Sequence, residues 1–93
     1  MTARPHGLTM TSRKRKHEAI LRSIEAGHGG VSWVDVERLL LSLGAERHER
    51  SGSAVIFLLH GALLRVHRVH GRRDCGAGLV GRIRGFLMEA GVL

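Results

Sequence analysis

The chain has 93 residues and a formal net charge of +7, with 43% hydrophobic and 25% charged residues. This length fits one domain, and the composition is that of a globular protein rather than a disordered one. The lone cysteine excludes an internal disulfide, and no apolar stretch reaches the roughly 18 residues that a membrane span needs. We therefore expect a cytoplasmic protein that makes no membrane contact. Its positive charge either attracts a polyanion such as nucleic acid or only keeps the protein soluble.

The chain begins with a segment that has no apolar periodicity. We expect residues 1–11 to be a disordered lead and residues 12–93 to form a single domain. Apolar residues then recur at helical spacing from Arg13 to Ala26, which predicts a first helix. Four cations fill its first turn, where the helix dipole disfavours positive charge. This placement is compatible with phosphate contact or with a solvated helix start.

A second helix is predicted to begin at Ser32. The spacing of Ser32 and Asp35 resembles a capping box, with Asp in place of the usual Glu or Gln. An apolar stripe that includes Trp33 follows, and Gly44 is placed to end the helix. We interpret Trp33, the only tryptophan, as a core residue rather than a platform for base stacking.

The next elements are predicted to be antiparallel strands. Residues 45–49 form a possible short strand, and residues 54–59 form a strand rich in β-branched and aromatic side chains. His60 and Gly61 have the pattern of a two-residue hairpin turn, after which the chain returns as a strand from Ala62 to His67 or Val69.

A two-residue turn fixes the register of this hairpin. It places Val55, Phe57 and Leu59 on one wholly apolar face together with their partners Val66, Leu64 and Ala62. The opposite face is mixed, with a basic end and an apolar end. We expect its apolar residues to bind a protein partner; they are Ile56, Leu58 and Leu63.

The C-terminal part is predicted to be a loop over residues 71–78 and a helix from Leu79 to Ala90. The fold class is therefore α+β, with two N-terminal helices, a two- or three-stranded antiparallel sheet and a C-terminal helix.

This order of elements, with the residues at its joints, resembles the HicA toxins of HicA–HicB toxin–antitoxin systems. The resemblance covers roughly residues 13–93. Trp33-Val34-Asp35 with Leu40 resembles a variant subfamily that has a longer N-terminus. The remaining matching residues are Leu43-Gly44-Ala45, Gly52-Ser53, Gly61, His67-Arg68-Val69-His70, and Phe86-Leu87 through Ala90-Gly91.

The resemblance implies a fold similar to the double-stranded-RNA-binding domain. It also implies cleavage of messenger RNA without a metal or other cofactor, and control by a HicB-type antitoxin. The family usually has a catalytic His shortly after its Gly-Ser step, but here Ala54-Val55-Ile56 follows Ser53. That His is therefore not carried over, and His70 alone matches the later His element of the family.

The end of the second hairpin strand nevertheless holds the residue types that RNA cleavage needs. Histidine can exchange a proton near neutral pH, and arginine can stabilise a charged phosphate. We predict His67 and His70 as catalytic residues, with His67 acting from the strand that faces Ala54. The predicted phosphate-binding residues are Ser53, Arg65, Arg68, Arg72 and Arg73.

The same residues also bear on a metal site and on two other functions. His67 and His70 have no Cys or carboxylate nearby to complete a tetrahedral set, so no metal site is predicted. A non-catalytic RNA-binding module on the same fold would explain the missing His after Ser53. A small protein-interaction domain would explain the mixed sheet face. The sequence gives no oligomeric state.

Overall fold

The structure is a computed structural model that describes residues 12–67 and 74–93. These ranges contain three helices and an antiparallel sheet, so the predicted α+β class is confirmed. The helices are α1 (Ser12–Ala26), α2 (Trp33–Ser42) and α3 (Ala77–Glu89), and the strands are β1 (Val31–Ser32), β2 (Glu46–Glu49), β3 (Ala54–Leu59), β4 (Ala62–His67) and β5 (Asp74–Cys75).

The β3–β4 hairpin has the predicted turn and register. Leu59 pairs with Ala62 beside the turn, and Ala54 pairs with His67 at the open end. His60 and Gly61 both have positive φ angles, 48° and 84°, as a type I′ turn requires. This turn matches the right-handed twist of the strands, which is why two residues suffice to close the hairpin.

The short strand predicted at residues 45–49 is also present. It forms β2, which pairs with β3 from Glu46 opposite Leu58 to Glu49 opposite Val55. The three-stranded sheet has the order β2-β3-β4, so β3 is central.

A second, two-stranded sheet corrects the sequence prediction for residues 71–78. Within that predicted loop, Asp74 and Cys75 pair with Ser32 and Val31, and Gly30 donates its N–H to the Cys75 carbonyl at 2.8 Å. Helix α3 also begins at Ala77, two residues before the predicted Leu79. Strands of two residues show no periodicity, and the glycine-rich start of α3 carries no apolar stripe. Neither feature could be seen from the pattern.

The predicted capping box at the start of α2 is wrong. Ser32 does occupy the N-cap position, with φ −64° and ψ 131°, but its side chain makes no capping hydrogen bond. The Asp35 carboxylate instead forms an ion pair with Lys16 of α1, at 3.2 Å. Asp35 therefore joins two helices rather than closing one.

The end of α2 follows the prediction. Gly44 has φ +99°, and the Ala45 N–H donates to the Leu40 carbonyl at 3.0 Å. This bond belongs to a Schellman motif, which needs a residue in the left-handed region after the helix. The motif turns the chain directly into β2.

One hydrophobic core lies between the helices and the inner face of the sheet. Trp33 of α2 is 4% exposed and meets Phe57 of β3 edge-to-face, with ring centroids 6.0 Å apart. The interpretation of Trp33 as a core residue is thus confirmed. Helix α1 contributes Ile20 and Ile24 to this core, and α3 contributes Val80, Ile83, Phe86 and Leu87.

Candidate functional site

The open end of the β3–β4 hairpin brings together two of the predicted site residues. Ser53 directly precedes β3 and His67 ends β4, and both are exposed. The Ser53 Oγ lies 3.4 Å from the His67 Nδ1, the long end of the hydrogen-bond range. This proximity follows from the register, which pairs Ala54 with His67.

Arg65 lies on the same face of β4 as His67. Burial alternates along this strand, so Leu63, Arg65 and His67 are exposed while the residues between them are buried. Side chains two residues apart on a strand are separated by about 7 Å. The Arg65 cation is therefore within reach of a phosphate group that contacts His67.

A second arginine comes from α3 and was missed by the sequence analysis. Arg82 donates a hydrogen bond from its Nη2 to the main-chain carbonyl of Arg65. Helical spacing indicated only that Arg82 is exposed. Its placement beside β4 depends on how α3 packs against that strand, and no local pattern reports this packing.

Four other predicted site residues lie outside the described residues: His70, Arg68, Arg72 and Arg73. Their roles stay predictions. In sequence they fall between His67 and Asp74, and both of these flanking residues are described.

The predicted partner face is continuous with this end of the hairpin. Leu63 is 55% exposed, and Ile56 and Leu58 are partly exposed on the same side. Strand β2 lies beside these residues, with Glu46 opposite Leu58 and His48 opposite Ile56. It therefore widens the face and does not cover it.

The Arg47 side chain of the sheet has local structural partners. Arg47 of β2 donates to Glu37 of α2 at 2.6 Å and to Glu49 at 3.0 Å. Its hydrogen bond to Glu49 and its contacts with Glu37 raise the pKa of Arg47, which outweighs the effect of desolvation. The contact with Glu37 joins β2 to α2. It lies away from His67, because Arg47 is opposite Phe57 in the sheet whereas His67 is opposite Ala54.

Cys75 is a buried free thiol. Burial, reinforced by the charge of Asp74, raises the pKa of the Cys75 thiol to about 11, so the thiol is protonated and a poor nucleophile at neutral pH.

Within residues 12–67 and 74–93, no three His, Cys, Asp or Glu side chains are grouped to hold a metal ion. In the same ranges, no helix has the length and apolar character to cross a membrane.

Comparison with known proteins identifies a family. Residues 33–92 match the family described as "HicA toxin of bacterial toxin-antitoxin". No curated protein and no solved structure matches the chain. The matched range begins at the first residue of α2 and covers the three-stranded sheet and α3, so α1 and β1 precede it. Because this match spans more than half of the sequence, the chain belongs to the HicA family of toxins from bacterial toxin–antitoxin systems.

Proposed function

We propose that this toxin is a metal-independent endoribonuclease that cleaves messenger RNA in the cytoplasm. The observation that carries the proposal is the 3.4 Å approach of the Ser53 hydroxyl to the His67 ring at an exposed strand end, with Arg65 on the same face. A proton-exchanging group, a hydroxyl and a cation are thus available to one phosphate.

The proposed reaction is attack of a ribose 2′-hydroxyl on the adjacent phosphorus. One histidine removes the 2′-hydroxyl proton as the P–O bond forms, and another protonates the 5′-oxygen as its bond to phosphorus breaks. The products are a 2′,3′-cyclic phosphate and a free 5′-hydroxyl. We assign these two roles to His67 and His70.

In this proposal the arginines stabilise the negative charge that develops on the phosphate. Arg65 is described in the structure, and Arg68, Arg72 and Arg73 follow it in the sequence, so the proposed phosphate site spans the end of β4 and the residues after it. A guanidinium presents several donors in one plane, which suits a phosphate in the transition state. No metal or other cofactor is needed for this chemistry.

We further propose that a HicB-type antitoxin binds the outer face of the sheet. A toxin of a toxin–antitoxin pair needs a protein that controls it, and the partly exposed Ile56, Leu58 and Leu63 offer apolar contact. These residues share their face with Arg65 and His67. An antitoxin that covers them would therefore also exclude RNA from the proposed site.

The test is RNA cleavage by the purified chain in EDTA, compared with the His67→Ala/His70→Ala variant. We expect wild-type cleavage that this variant loses. The matched control is His17→Ala/His28→Ala, which removes one histidine from α1 and one from the loop before β1, both off the three-stranded sheet, and should keep the activity. Cleavage that survives in the first variant would refute the assignment of the two histidines.

A second candidate function is RNA binding without cleavage. It is favoured by the residues after Ser53, since Ala54, Val55 and Ile56 supply no histidine where the family usually has one. Salt-sensitive RNA binding by the wild type with no cleavage product would establish this alternative.

A further inference from the structure

The hydrogen bond between Arg82 and β4 fixes the position of a guanidinium that the proposed function does not use. Arg82 is exposed, but its neighbour Ile83 and nearby Val80 are 0% exposed and fix α3 in the core. From this fixed helix the guanidinium reaches the Arg65 carbonyl, 17 residues away in sequence. The position of the cation is thus set by the packing of α3 and by a hydrogen bond at the tip of its side chain.

The geometry of the hairpin shows where this guanidinium lies. In a two-residue hairpin the pair beside the turn, Leu59 and Ala62, is hydrogen-bonded, and the pairs then alternate. The Ile56–Arg65 pair is consequently a non-hydrogen-bonded one. The Arg65 carbonyl points away from β3, toward the free edge of the sheet, and Arg82 meets it there.

Among residues 12–67 and 74–93, Arg82 donates a hydrogen bond to the Arg65 carbonyl, and most of its hydrogen-bonding capacity is not used by these residues. A guanidinium has five N–H donors, and one of them is used by the Arg65 carbonyl. The side chain is already held in one arrangement. Binding a ligand therefore costs less side-chain conformational entropy than it would for an unrestrained arginine. The remaining donors are available to an anion at the edge of β4.

Two cations from different elements therefore meet β4 at Arg65, two residues before His67. The Arg65 side chain is on the outer face of β4, two residues before His67, and Arg82 is at the edge of the same strand. We infer that Arg82 is a phosphate-binding residue that holds the RNA backbone at the β4 edge, together with Arg65. This inference rests on the proposed action on RNA and adds a contact from α3 to it.

The experiment measures RNA affinity as a function of salt for the wild type, Arg82→Ala, Arg82→Lys and Arg84→Ala. A 2′-O-methylated RNA is used as the ligand, because it lacks the free 2′-hydroxyl and cannot be cleaved by the proposed reaction. Arg84 is the matched control, since it is an exposed arginine on the same helix. It projects about 200° around the helix from Arg82 and so away from the β4 edge.

We expect Arg82→Ala to weaken RNA binding about fivefold and to reduce the slope of log K against log salt by about one, as the loss of one phosphate contact requires. Arg82→Lys should keep the slope because it keeps the charge, and Arg84→Ala should keep both slope and affinity. Circular dichroism checks that each variant is folded.

Two results would overturn the inference, and they differ. If the wild type binds RNA and Arg82→Ala binds it with the same affinity and slope, Arg82 only covers the strand edge, even if the thermal midpoint falls. If the wild type binds no RNA at any salt concentration, the proposed action on RNA fails together with the inference.

Discussion

The β3–β4 hairpin has a histidine at each end, and the two histidines have different surroundings. At the turn, His60 donates from its Nδ1 to the Ala90 carbonyl at 2.9 Å, which ties the hairpin to the end of α3. At the open end, His67 is exposed, and its Nδ1 lies 3.4 Å from the hydroxyl of Ser53. The same side chain thus bonds to a main-chain carbonyl at one end, and at the other it is exposed and lies near a side-chain hydroxyl.

Hydrogen-bond partners and exposure, rather than residue type, indicate which histidine can act on a ligand. His60 has a positive φ angle of 48° and a main-chain acceptor for its N–H, so its ring is committed to the fold. His67 ends a strand and is exposed, and Arg65 lies two residues earlier on the same face. Substitutions at the two ends should therefore affect different quantities.

The largest effect is expected from His67→Ala. The variant should lower the rate of RNA cleavage about 100-fold or more, because a general acid or base contributes at least that factor. Its free energy of unfolding should stay within about 0.5 kcal/mol of the wild type, since the side chain is exposed. Single-turnover cleavage and urea denaturation measure the two quantities. If His67→Ala were destabilised but cleaved RNA at the wild-type rate, His67 would have a structural role and not a catalytic one.

His60→Ala should show the opposite pattern. Loss of the bond to Ala90 is expected to lower the free energy of unfolding by about 1–2 kcal/mol. Cleavage well below the unfolding transition should be unchanged. The control is His60→Asn, which also loses the bond to Ala90 but suits a type I′ turn, and should therefore be less destabilising. A slower cleavage rate in folded His60→Ala would mean that the turn end is coupled to the site.

Gly61→Ala isolates the backbone contribution at the turn end. Gly61 has φ +84°, and a Cβ added there would meet no atom within 4 Å. The substitution should therefore cost about 1 kcal/mol from backbone strain alone. Gly85 of α3 has the same open surroundings without a positive φ, so Gly85→Ala should stabilise by up to about 1 kcal/mol. Equal effects of the two substitutions in thermal denaturation would contradict this account.

The hairpin shows how much of the fold the sequence predicts. Its register followed from two facts, the alternation of apolar residues and the two-residue turn at His60 and Gly61, and the same register brought Ser53 next to His67. Both facts are local, and the alternation extends over the six residues of each strand. The helical stripes were predicted for the same reason.

The features that the sequence missed are short or distant in sequence. The β1–β5 pairing involves two residues on each strand, which is too few for a period to be recognised. The contact of Arg82 with Arg65 joins elements that meet only after α3 packs against β4. The family resemblance could indicate the class of toxin, but it could not supply an arginine that depends on this packing.

The smallest effect is expected from Ser53→Ala, which distinguishes two roles of the hydroxyl. If Ser53 orients the His67 ring, its removal should lower kcat about threefold, the worth of a weak neutral hydrogen bond, and leave KM unchanged. If the hydroxyl binds phosphate instead, KM should rise while kcat stays the same. Because the Ser53 Oγ lies 3.4 Å from the His67 Nδ1, we expect the effect on kcat. Ser51→Ala, two residues earlier on the same loop, is the matched control and should change neither constant.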